Sequence, residues 1–261
     1  MIEIWLDASV AAMFAGLTLL YGATAAIIVA ACYGPAHDAV RRLDGIAPPF
    51  LGAIAVIFAL MAGFLASDIA ERNRQATRAV QMETAELRNV FTLSVASNGD
   101  MRSIRAAWTD YINAVAGEEW KTMARGDSAP AADRAFDALL RGISDPAIGR
   151  DAGNAVHVAL LGAAIRVSTA RSDRLSIASD STSAVKWLVV LILGVMTQIG
   201  IGAVHLTRRA AQIGALAIFS LTAVISLGLI ALQEHPFAGN MRMGAEPYLE
   251  LLKRPAPDGA G

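Results

Sequence analysis

Residues 48–67 read PPFLGAIAVIFALMAGFLAS, a run with no charged side chain and with apolar residues on every face of the helix they would form. A helix on a soluble core keeps one face polar for water. This run has no such face, and its length matches the roughly 20 residues needed to cross the hydrocarbon of a bilayer. Pro48 and Pro49 suit a helix start, where the missing N–H would be unpaired anyway. Directly beyond, SDIAERNRQATRAVQMETAEL (67–87) becomes charged without losing helical period. Val80, Glu83, Leu87 and Phe91 fall on one face, so the helix continues out of the lipid into water.

Three further runs have the same character. Residues 10–33 form the first, ended by Gly34-Pro35, because proline cannot continue the backbone ladder. Residues 185–206 form the third, with Lys186 and Trp187 at its mouth as a snorkelling and interfacial anchor. Residues 213–232 form the fourth, joined to the third by a short turn carrying Arg208 and Arg209. Turns this short make helices antiparallel neighbours. The predicted fold is an all-α membrane protein of four transmembrane helices in two antiparallel pairs, with a helical extramembrane domain between the pairs. The expected divisions are 1–68 (first pair), 69–184 (helical domain), 185–232 (second pair) and 233–261 (tail). The tail ends in RPAPDGAG, which reads as disordered. The N-terminal tail bears Glu3 and Asp7 and no basic residue, and its apolar run is too long for a signal peptide, so it reads as a retained helix.

Between the pairs, residues 104–120 repeat the helical pattern with Trp108, Tyr111, Ile112, Val115 and Trp120, and residues 156–177 read as a long helix returning to the third span. Asn98-Gly99, Gly126-Asp127-Ser128 and Ser144-Asp145-Pro146 mark turns. No alternating β-branched run suggests a sheet.

The composition excludes several functions. Of 261 residues, 55% are hydrophobic and the net charge is −1, so no basic field invites nucleic acid. His37, His157, His205 and His235 are scattered, with no metal-ligand spacing. Phosphate loops and nucleophile elbows are absent, and the single cysteine, Cys32, sits in an apolar run as a buried hydrophobe. The sequence therefore implies no catalytic residue, no metal and no cofactor. Its first partner is the lipid bilayer.

Within the spans, Val56, Leu60 and Phe64 make one stripe of the second helix, and Ala55, Ala59 and Gly63 make a small-residue stripe beside it. Two readings stand. Either the large stripe faces lipid while the small one packs on the first helix, or second helices related by symmetry form a narrow apolar neck. Gln198 shares a stripe of the third helix with Gly194 and Gly202; its amide needs a partner in hydrocarbon, on another helix or in a pore. Glu83 and Glu119 are candidate ion partners for Arg171 and Arg174 in the central domain, a structural rather than catalytic set. After the fourth span, Pro236, Phe237 and Gly239 mark a turn, with Pro236 stopping the helix and Phe237 folding back.

Several of these patterns together resemble the bestrophin-like family of four-span membrane proteins. ALMAGFLASDIAERN places Gly63-Phe64 at the family's Leu-Gly-Phe position, and VQMETAEL supplies Glu83. AWTDYINAVAGEEWKTMARG carries Tyr111, Glu119, Trp120 and Gly126; RSDRLS carries Arg171 and Arg174; EHPFAGNMRM carries Pro236, Phe237 and Gly239. The resemblance runs in order from the second span onward. More distantly it is similar to the true bestrophins, which implies a homo-oligomeric, pentameric channel for small anions lined by the second helix. Ala238 interrupts the bestrophins' Pro-Phe-Gly element, and the acidic calcium-binding run of animal members is missing.

Orientation is read in two opposed ways. Arg41, Arg42, Arg208 and Arg209 in the short loops place those loops in the cytoplasm and the central domain outside the inner membrane. The bestrophin resemblance implies the reverse.

Overall fold

The computed structural model describes Trp5, residues 9–35, Val40, 48–123, 127–238 and 241–253, with 48–51 as backbone. The loop residues His37, Asp38, Arg41, Arg42 and Asp44, the glycines Gly126 and Gly239, and the terminal RPAPDGAG run lie outside these. Among the described residues all regular structure is helical. In chain order the helices are α1 (Val10–Tyr33), α2 (Pro48–Ala96), α3 (Arg102–Ala114), a π-helical turn (Val115–Glu119), α4 (Trp120–Met123), α5 (Pro130–Ile143), α6 (Pro146–Ala152), α7 (Asn154–Ser179), α8 (Ala184–Val204), α9 (Arg209–Ala231) and α10 (Glu246–Leu252). At 49 residues, α2 is about 74 Å long at 1.5 Å per residue. The chain forms two compact units. One holds residues 1–71, 182–234 and 239–241; the other holds 72–181, 235–238 and 242–261.

The first unit contains α1, the start of α2, α8 and α9, which among the described residues are the four helices long and apolar enough to cross a membrane. In lipid, apolar contact alone gives helices no drive to associate, so close backbone approach and polar bonds must do it. The unit uses both. Tyr21 of α1 lies on Gly194 of α8, where a Cβ would come within 2.2 Å of its hydroxyl; Ile28 covers Gly202 and Phe14 covers Gly228 of α9 just as tightly. Gln212 of α9 donates to the Gly202 carbonyl at 2.8 Å. Met13, Leu17, Leu65, Ile69, Trp187, Val190 and Leu227 fill the centre. Past the end of α9, buried Glu234 accepts from the Thr182 backbone N–H (2.8 Å) and the Trp187 indole (3.2 Å), tying the entry of α8 to the exit of α9.

The second unit has its own core, with Ile104, Trp108, Leu139, Leu160 and Val167 near its middle. α5 and α6, which sequence periodicity did not single out, each open on a proline in the first turn, and Asp145 caps α6 through the Ala147 N–H. Gly153 alone separates α6 from α7, with φ at +90°, a conformation that a Cβ would strain. Phe237, Tyr248 and Leu251, in the stretch read as a separate tail, are part of this core.

Candidate functional site

Two features could carry function, one in each unit. The first is the outer face of α2. Phe58, Met61, Ala62, Leu65 and Ile69 turn inward and pack the membrane unit. Val56, Leu60 and Phe64, four residues apart, turn outward and are 58, 52 and 60% exposed. Ala59 and Gly63 are exposed beside them, and a Cβ at Gly63 would meet nothing within 4 Å. Asp68, one turn beyond Phe64 on the same face, pairs with Lys186 of α8 at 2.5 Å.

Gln198 does not face outward. It is fully buried and donates to the Tyr21 carbonyl (3.0 Å) and the Ser220 hydroxyl (2.8 Å), joining α8 to α1 and α9. His205 ends α8 with Nδ1 3.0 Å from the Ile201 carbonyl.

The second feature is a buried ion cluster. Arg171 and Arg174, three residues apart on α7, project from one face. The Arg174 guanidinium is wholly buried and donates to Glu83 of α2 (2.8 and 3.3 Å) and to Glu119 (2.7 Å). Arg171 reaches the other side of Glu119 and donates to Asp133 of α5 at 2.6 Å. Two tyrosines complete the Glu83 carboxylate: Tyr111 donates at 2.6 Å and Tyr248 at 2.7 Å. Trp120 and Tyr248 present their rings to Arg174 at 5.5 and 5.6 Å, and Met123 accepts from it at 2.9 Å. Glu119 closes the π-helical turn, a local widening of the helix that recurs where a side chain must be re-aimed.

Burial and charge act against one another here. Burial alone would raise the Glu119 carboxyl, but hydrogen bonds and charge from Arg171 and Arg174 hold it below its ordinary value. Burial, with the Glu83 charge beside them, pushes the Tyr111 and Tyr248 hydroxyls well up, so both stay protonated and donate. Both guanidiniums stay charged because the carboxylates outweigh burial.

The structure therefore brings together Glu83, Tyr111, Glu119, Trp120, Arg171 and Arg174 in the second unit, whereas Gln198 and the α2 stripe belong to the first. Phe237 stacks edge-on against Trp120 at 5.7 Å. Sequence reading missed Tyr248, Asp133 and Met123. Tyr248 had a signal, its place on the apolar side of a short amphipathic helix; Asp133 and Met123 had none.

Four membrane-crossing helices and a helical unit with a buried ion cluster define a multi-pass all-α membrane protein. The chain belongs to the bestrophin-like family: the family's domain model matches residues 9–248. Two solved forms of a bacterial bestrophin homologue from Klebsiella pneumoniae, each with one substitution, share the fold. Their TM-scores are 0.68 and 0.70 at 11 and 12% identity, over 92 and 94% of this chain and 99 and 96% of theirs. No curated protein matches the sequence.

Proposed function

We propose that the protein is a homo-oligomeric channel for small anions, with α2 of each subunit lining an apolar neck. One observation carries the reading. Val56, Leu60 and Phe64 are exposed on the face of α2 opposite its packed side, with the exposed Ala59 and Gly63 beside them. Small residues let helices of neighbouring subunits approach closely, and large apolar ones then narrow the lumen. Such a constriction gates by dewetting and favours large, weakly hydrated anions. Four helices of one chain pack solid at their centre, so conduction requires a ring of subunits; the family likeness supports five. The seat is the inner membrane, and the charge of the Arg208–Arg209 turn favours its facing the cytoplasm. The chemistry is permeation rather than catalysis.

Planar-bilayer recording of purified protein tests this. Anion currents altered by Leu60→Ala and Phe64→Ala are expected. Absent currents, or currents indifferent to both substitutions, overturn it. A second reading, a membrane-anchored helical module that binds a partner, draws on the second unit's possession of a core of its own. A monomeric particle without conductance would support that reading.

A further inference from the structure

Deepening the neck reading, on which it rests, we infer that Lys186 sets the charge selectivity of the neck by neutralising Asp68. Asp68 follows Leu60 and Phe64 at the same four-residue spacing, so it stands one helical turn past the apolar stripe on the same face. Its side chain is 47% exposed, like the stripe it extends. In a ring of α2 helices it becomes a ring of carboxylates at the mouth of the constriction, and acidic rings select cations. Anion passage requires that charge to be cancelled. The Lys186 ammonium does this from α8 of the same chain at 2.5 Å, itself 56% exposed. The contact is not a stability device, since half-exposed pairs contribute little. Its effect is on the potential an ion meets. Glu71, three residues further along α2, is half-buried and engaged in contacts of its own. Lys186 thus has a role beyond the interfacial anchor that its place beside Trp187 suggests.

The test is the reversal potential of the purified full-length protein in a planar bilayer under a potassium chloride gradient. Lys186→Gln is expected to lower the chloride-over-potassium permeability ratio at least about threefold, the effect of a unit charge some 7 Å from an ion at a dielectric constant near that of water. Lys186→Arg keeps the charge and is expected to keep the wild-type ratio. The double variant Asp68→Asn/Lys186→Gln is expected to restore it, which a merely misfolded Lys186→Gln protein would not allow. A conducting wild type whose reversal potential is unmoved by Lys186→Gln overturns this inference and leaves the neck standing. A wild type with no current overturns both.

Discussion

The two units solve the burial of polar groups in opposite ways. Among the described residues of the membrane unit, the buried polar side chains are the amides Gln198 and Gln212, the hydroxyls of Tyr21, Thr182 and Thr197, and the Glu234 carboxylate. Gln198 and Gln212 return their N–H groups to backbone carbonyls exposed by glycine-lined close approach. In the second unit the core holds two guanidiniums and two carboxylates, walled by Trp120, Tyr111 and Tyr248. Lipid tolerates a neutral amide with one good partner, whereas an ion there is expensive. A water-facing unit can bury ions if every charge is matched and hydrogen-bonded. The membrane unit is held by shape and the second unit by charge complementarity.

Arg174→Ala should destabilise the protein most. It leaves Glu83 without its guanidinium and Glu119 with only one, and removing one member of a buried pair costs about 3–5 kcal/mol. Denaturation in detergent should show the loss; a change under about 1 kcal/mol would mean that packing holds this unit too. Next is Gly194→Ala, which forces a methyl against Tyr21 and should cost about 1–3 kcal/mol, with the helices of the membrane unit moved apart. If it costs nothing, close approach is not what binds them.

Acid should separate the units further. Glu119 is held below its ordinary value of 4.5, so its contribution is full above that pH and is lost as pH falls through the lowered value. Melting curves at falling pH should show the second unit loosening first, and Glu119→Gln should flatten that dependence. Smaller still is Gln198→Ala, at about 0.6 kcal/mol for an interhelical hydrogen bond in lipid. Smallest is Leu60→Ala, within about 0.5 kcal/mol for an exposed position. Leu60→Ala sharpens the contrast between stability and function, because the proposal gives it a large effect on current.

The membrane spans were legible almost to the residue. α1 has the expected bounds; α8 begins one residue and ends two residues earlier than expected, and α9 takes in Arg209, beginning four residues earlier and ending one earlier. A charge gap of this length has one cheap solvent, so local composition suffices. The ion set was legible in part: Glu83, Arg171 and Arg174 stand at helical spacing on apolar faces. Asp133 and Met123 were not, being ordinary residues on helices whose packing the chain order does not disclose. The tail was read as separate because nothing in its residues shows that Tyr248 meets Glu83, 165 positions away.

By itself the sequence determined that this is a four-span, all-helical membrane protein with a polar helical insert. Hydrophobic periodicity and the cost of charge in lipid are local properties that need no knowledge of the fold. Tertiary structure alone decided that Gln198 bonds inward, that the outer face of α2 is left uncovered by its own chain, and which carboxylate each arginine meets. Those outcomes depend on which distant helices pack together, and pairing over long sequence separations leaves no periodic trace in the chain.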